Sequence, residues 1–421
     1  MSRDRVERSL AERADGDYWF PAYEDYCFSN VPETALSVLD DAFERRLPAD
    51  VFDGVDLGVD HVVLFLLDGF GYERWTRHRD EHALLSSLAD RGTVTPLTSI
   101  YPSETAAAIT TVHTGLSPVE HGLLGWFQYL ESAGRIVQTL PFATLDGDPL
   151  AAASPASEAT ELFGGTPLYG RANDAGIDSY AIQPAKFVDS GYTRATTAGA
   201  ERIGYDTVAD LALSIRRTLE DASGKTYVYA YEPTIDAISH AEGTGGERYR
   251  ANLGAILDRL RRELVDRLDP AVAERTLLLV TADHGIVDTV PAENVDLTGL
   301  DDWPALRGTF RRDAAGEPRL PTGSPRNVHF HVRPDRLAEA RGIVEANLDA
   351  RTFTREEALD RGLFGPGTPS PPFDRRCGDL IAVHRNRGVW WREMASVGMH
   401  GGLTREEMLV PFAAARLDAL R

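Results

Sequence analysis

The chain has 421 residues, with 65 Asp and Glu against 44 Lys and Arg, a formal charge of −21 and 43% hydrophobic residues. That length exceeds one small core, the apolar content excludes a disordered chain, and no apolar run approaches the ~20 residues of a membrane-spanning helix. A surface this acidic excludes a protein that grips nucleic-acid phosphates, and it repels any anion not met by local positive charge.

Lys186 and Lys225 are the only lysines; every other basic residue is Arg. A lysine-poor, arginine-rich composition follows from a GC-rich genome, which favours Arg codons, or, the favoured reading, from a salt-adapted (halophilic) cytoplasm, where carboxylates hold water and salt screens their repulsion. Cys27 and Cys377 stand near opposite ends of the chain. Two isolated cysteines build neither a disulfide framework nor a thiolate metal site. The first twenty residues are charged throughout and lack an apolar signal core, so a cytoplasmic location is expected.

Residues 1–60 read as a lead-in packed on the core, with an aromatic run "DYWFPAYEDYCF" and a helix over "ETALSVLDDAFERRL". "HVVLFLLDGFG" then reads as a buried strand, His61 to Leu67, ended by Asp68-Gly69. A helix is expected over 73–91, a strand over "GTVTPLTSI", and a helix over "SETAAAITTVHTG" stopped by Gly115. "DSYAIQP", "TYVYAYEP" and "RTLLLVTADHG" are strand-like; "DTVADLALSIRRTLEDA" and "ERYRANLGAILDRLRRELVDRL" have helical spacing. Strands alternating with helices predict an α/β fold with a mainly parallel sheet sandwiched by helices.

From residue 301 the texture changes. "RDAAGEPRLPTGSPR" reads as a loop, and "NVHFHV", "PDRLAEARGIVEANLD" and "TREEALDRGLFG" suggest a small α+β cap insertion. The expected organisation is therefore 1–60 lead-in, 61–300 catalytic core, 301–376 cap insertion and 377–421 return to the core. In "NVHFHV", His329 and His331 alternate with apolar residues and are expected to face solvent or line the cap. His121 is expected to structure a loop, and His113 to pack.

Ligands of an open parallel sheet bind beyond the carboxyl ends of its strands. Asp68 follows "HVVLFLL"; Asp236 and His240 follow "TYVYAYEP"; Asp283 and His284 follow "TLLLVTA"; "SETAAA" follows "PLTSIYP". Asp236 and His240 are four apart, so a helix puts them on one face. Each pattern alone is ordinary turn or cap chemistry, but together they bring carboxylates, imidazoles and hydroxyls to one edge. A further imidazole, His400 in "SVGMHGGLTREEMLVP", completes the set. Mixed O/N donors suit Zn2+ or Mn2+ better than Ca2+. They are numerous enough for two divalent ions, the usual clamp for phosphoryl transfer. Among the hydroxyls of "SIYPSETAAAITTVHTGLSP", helix placement sets aside Thr110, Thr111 and Thr114 and leaves Ser103 and Thr105 level, one of them a candidate helix cap.

Taken together, "LLDGFG", "YPSETAAAITTVHTGLSPVEHGLLG", "YEPTIDAISH", "TADHG" and "GMHGGLTREEMLVP" resemble the type I phosphodiesterase/nucleotide pyrophosphatase family of the alkaline phosphatase superfamily. The resemblance implies one metal on Asp236, His240 and His400, and another on Asp68, Asp283, His284 and the nucleophile oxygen. By the family's spacing to Thr114-Gly115 it implies that Thr105 is that nucleophile, with Ser103 the cap. The usual Thr-x-Pro-Asn continuation is replaced by "TAAA", so the family's phosphoryl-holding Asn is missing there. The implied activity is metal-dependent hydrolysis of a small phosphoester, such as a nucleotide. A phosphomonoesterase, a phosphonate hydrolase, and a metal-holding module without turnover are the alternatives.

Overall fold

The computed structural model describes residues 3–391 and 396–421. Its central sheet has seven strands: β1 (His61–Leu67), β2 (Thr93–Thr98), β3 (Ile177–Pro184), β4 (Glu201–Tyr205), β5 (Lys225–Glu232), β6 (Thr276–Thr281) and β7 (Leu409–Arg416). Their spatial order is β2-β7-β6-β1-β5-β3-β4. Strand β7 runs antiparallel to both neighbours, β6 and β2, and the remaining pairs are parallel. β1 is buried at every position because it lies mid-sheet with both faces covered, which is why it reads as an unbroken apolar run.

Two helices position functional groups. α1 (Thr105–Thr114) follows β2, and Gly115 closes it in the left-handed conformation at φ +70°. α2 (Thr234–Glu242) follows β5 directly. Three expected helices are shorter than their patterns. The one in "ETALSVLDDAFERRL" ends at Ser37, because the chain folds back and Thr34 Oγ1 accepts the backbone N–H groups of Arg46 and Leu47. The 73–91 helix is interrupted: Tyr72–His78, a 3-10 turn Arg79–Glu81, then Ala83–Arg91. Glu247–Arg259 is α-helical and continues as a π-helical turn, Leu260–Val265.

A second, antiparallel sheet also has seven strands, in the order Ala350–Thr354, Leu380–His384, Asn327–Phe330, Thr322–Ser324, Phe127–Leu130, Arg135–Gln138, Ala143–Thr144. It draws on more of the chain than the 301–376 segment, taking three strands from before it and Leu380–His384 from after it. Val328 and Phe330 face one apolar cluster, with Ala340 and Val344 of the helix Leu337–Asn347. Ile381 and Val383 face another, with Tyr101, Leu124 and Phe364. His329 and His331 do not face solvent. Both are buried; His329 Nδ1 accepts the Gly378 N–H at 3.0 Å and His331 Nε2 meets Thr322 Oγ1 at 2.9 Å. Both faces of this sheet are covered, so alternation does not imply exposure here.

Candidate metal centre

Asp68, Asp236, Asp283, His284 and His400 converge at the carboxyl end of the central sheet, as strand-end placement requires. Asp68 ends β1 and Asp283-His284 follow β6. Asp236 and His240 lie one turn apart on α2, with His240 Nε2 3.3 Å from Asp236 Oδ2. His400 comes from far along the chain, carried by a two-residue ladder in which Met399 pairs with Val287 and Gly398 with Asp288. Because Val287 lies just past His284, the ladder stacks the His284 and His400 rings, centroids 3.7 Å apart and 16° from parallel.

The donor atoms form two adjoining groups. In one, His284 Nε2 lies 3.4 Å from Asp68 Oδ1, 3.4 Å from Asp283 Oδ2 and 3.0 Å from Thr105 Oγ1. Thr105 Oγ1 is 3.5 Å from Asp68 Oδ1. In the other, His400 Nε2 lies 3.2 Å from His240 Nε2 and 3.8 Å from Asp236 Oδ1. A tetrahedral ion with bonds of about 2.0–2.2 Å places its ligand atoms about 3.3–3.6 Å apart, the middle of the 3.0–3.8 Å range that these donors span. The rings are oriented as ligands: His284 Nδ1 donates to the Gly285 carbonyl at 3.0 Å and His240 Nδ1 to that of Gly398 at 2.8 Å, which turns each Nε2 toward the other donors. Asp236 Oδ1 and Asp283 Oδ2 are buried without a hydrogen-bond partner. Such an atom costs about 1–3 kcal/mol. A bound cation relieves that cost, so the residues present fit two divalent ions.

Charge crowding shows in the proton affinities. Burial, then the neighbouring Asp283 and Asp236, push the Asp68 carboxyl well above its ordinary range. Burial also raises Asp283. Burial opposes the charge of Asp236 too, but His240, His400 and His284 outweigh it and hold that carboxyl below its ordinary value. Asp236 in turn raises His240 to about 9, while burial, then His284, hold His400 well below its usual value.

Thr105 is the first residue of α1, so its hydroxyl stands at the positive end of the helix. Ser103 is not the helix cap. Its hydroxyl donates to the Gly402 carbonyl at 2.7 Å, tying the strand-to-helix elbow to the His400 loop, and the cap position is Glu104, without a side-chain cap bond. Thr110, Thr111 and Thr114 pack as expected, and His121 structures its loop, meeting Thr111 Oγ1 at 3.0 Å. His113 is buried on the Tyr169 hydroxyl.

Several supporting residues were not anticipated. Tyr231 donates a hydrogen bond to Asp68 Oδ2. Its signal was the alternation of Tyr227, Tyr229 and Tyr231 on one face of β5. Ser99 Oγ donates to the Asp283 carbonyl at 2.5 Å. Glu104 is buried, its carboxyl raised to about 8 by burial. Gly69 has φ +70°, and a Cβ there would lie 3.1 Å from Asp236 Oδ1, so the turn after Asp68 requires glycine.

These affinities predict a pH dependence for the metal-free protein. Glu104 and His240 have folded values above their unfolded ones, so their stabilisation is complete below the unfolded values and is lost as pH rises through about 8 and about 9. Between pH 7 and 9 the melting temperature should fall. The loss is at most ~1.4 kcal/mol per pH unit for Glu104 and smaller for His240, whose side chain is 37% exposed. Below about pH 6 the buried neutral His113, His121 and His329 reverse the trend. A calorimetric pH series on chelator-treated protein checks this.

An α/β sheet with a carboxylate–imidazole cluster at its strand ends defines a candidate metallohydrolase. Residues 62–403 match the family model described as type I phosphodiesterase/nucleotide pyrophosphatase, and the chain belongs to that family. Among solved structures, the fold is similar to murine ectonucleotide pyrophosphatase/phosphodiesterase 5, an inactive Thr-to-Ala variant in complex with AMP. That match has a TM-score of 0.61 and 16% identity, covering 84% of this chain and 87% of the other. Phosphonoacetate hydrolase from Sinorhizobium meliloti 1021, in complex with phosphonoacetate, matches with a TM-score of 0.60 and 17% identity over 86% of this chain and 95% of the other. No curated protein matches the sequence.

Proposed function

We propose that the protein hydrolyses a small phosphoric ester, a phosphodiester or nucleotide pyrophosphate in preference to a monoester, with Thr105 as nucleophile. The observation that carries this reading is the Thr105 hydroxyl, 3.0 Å from His284 Nε2 and 3.5 Å from Asp68 Oδ1 at the start of a helix. Asp68, Asp283, His284 and Thr105 would hold one divalent ion and Asp236, His240 and His400 the other, with Zn2+ or Mn2+ suited to these donors. When bound, two such ions supply the positive charge that favours the Thr105 alkoxide and a phosphoryl group in a −21 protein.

The chain's own residues do the rest. Thr105 Oγ1 bonds to phosphorus while the opposite P–O bond breaks; the hydroxyl proton of Thr105 ends on the departing alcohol or phosphate, and the threonine holds the phosphoryl group with its remaining ester substituent. The first N–H groups of α1 face the phosphoryl oxygens. Water then attacks phosphorus, frees phosphate or the phosphomonoester, and returns Thr105. The supporting relatives are the phosphodiesterase whose Thr-to-Ala variant is inactive and holds AMP, and the family match.

A phosphonate hydrolase is the second reading, favoured by the likeness to phosphonoacetate hydrolase. Purified protein loaded with Zn2+ or Mn2+ should cleave an aryl phosphodiester at least ~10-fold faster, by kcat/KM, than an aryl phosphomonoester or phosphonoacetate, a gap of about 1.4 kcal/mol. The opposite ranking replaces the diester assignment. Two bound ions without hydrolysis of any substrate favour a metal-holding module. Chelation should remove activity, and either ion should restore it.

A further inference from the structure

The interruption of the expected 73–91 helix gathers three donors away from the strand-end centre. His78 ends the helix Tyr72–His78, Glu81 lies in the 3-10 turn, and His82 precedes the helix Ala83–Arg91 in extended conformation. One donor atom from each lies within 4.8 Å of the others. His78 Nδ1 is 2.8 Å from Glu81 Oε2, and the two imidazole centroids are 6.2 Å apart at 45°. None of the three belongs to the groups around Thr105.

We propose that His78, Glu81 and His82 form a separate binding site for a divalent transition ion of the Zn2+ or Co2+ type. Two imidazoles and a carboxylate are the donor set such ions take, with water in the fourth position. The rings are held in place before any ion arrives. His78 is buried and packs on Tyr249, centroids 6.1 Å apart. A Cβ built on Gly254 would lie 3.5 Å from His82 Cε1, so the His82 ring rests on the helix Glu247–Arg259. Asp258 of that helix and Glu81 add negative charge at His82. Binding exchanges the His78–Glu81 hydrogen bond for two bonds to the ion, with the donors opening by a few tenths of an ångström. The ion then bridges the two helices on either side of the break. The site does not touch the proposed reaction and is independent of it.

The test is metal content. The full chain is loaded with Co2+, desalted and measured by elemental mass spectrometry. The wild type should keep one equivalent more than the His78→Ala/His82→Ala variant, and the two should cleave an aryl phosphodiester equally. Both chains carry the strand-end ligands, so the difference stands whatever number of ions that centre holds. His82→Gln, at a half-buried position, guards against misfolding of the double variant. Its circular dichroism should match the wild type, and it too should be one equivalent short. Equal Co2+ content in the wild type and His82→Gln overturns the proposal.

Discussion

Replacing Thr105 with alanine is expected to lower kcat toward an aryl phosphodiester by at least ~10⁴-fold, about 5.5 kcal/mol of barrier. A covalent nucleophile has no substitute within the site, and loss of one typically costs on the order of 10⁶-fold in a comparable hydrolase. The Oγ1 atom sits 3.0 Å from His284 Nε2 and 3.5 Å from Asp68 Oδ1, while Ser103 is committed to the Gly402 carbonyl. The variant should keep its metal content, because Asp68, Asp283 and His284 remain. Thr105→Ser should retain a substantial part of the rate, since it keeps the hydroxyl and loses only a methyl group. Near-full activity of Thr105→Ala would sink the assignment; loss of metal along with activity would show that Asp68, Asp283 and His284 do not hold the ion without Thr105.

The second large effect lies at the Arg326–Glu407 pair, both side chains 0% exposed. Arg326 Nε and Nη2 donate to the two Glu407 oxygens at 2.9 and 2.8 Å, and the guanidinium also reaches the Arg385 and Arg387 carbonyls. Glu407 in turn accepts the Gly402 N–H at 3.0 Å and the Thr404 hydroxyl at 2.7 Å. Despite burial, Arg326 holds the Glu407 carboxyl below its ordinary value. One ion pair therefore fastens the second sheet to the turn that follows His400. Arg326→Met leaves Glu407 buried and unpaired, a defect worth about 3–5 kcal/mol. Urea unfolding should show that loss with little change in slope. Because the Gly402–Thr404 turn loosens with it, affinity for the ion proposed on Asp236, His240 and His400 should fall as well. A stability change under 1 kcal/mol would show that the turn is held by other contacts.

These effects separate what was legible in the chain from what was not. The acids and imidazoles ending β1, β5 and β6 could be placed at one edge from sequence, because a buried parallel strand announces itself as an apolar run and its ligands lie past its end. The helical pair Asp236 and His240 followed from spacing alone. Thr105 and Ser103 could not be ranked by physics of the sequence. Their difference is the partner each hydroxyl finds, Gly402 for Ser103 and the donor group for Thr105, and that partner is contributed by residues far along the chain.

The second sheet was the least legible part. Periodicity revealed its strands near 327 and 380 but not that Phe127–Leu130 and Ala143–Thr144 join them, since antiparallel pairing between distant segments leaves no local mark. The same limit left His329 and His331 open between solvent and the cap interior, and the structure buries both: alternation reports which residues share a face, not what covers it. It also hid the break at His78–His82, where helical spacing continues through a turn that the neighbouring helix Glu247–Arg259 packs against. By itself, then, the sequence determined the composition of the donor set and the strands that deliver it, because those depend on near neighbours along the chain. Only the tertiary structure decided which hydroxyl meets the donors, how His400 returns to α2, and which buried pair holds it there, because each of those contacts joins residues that only the closed fold makes neighbours.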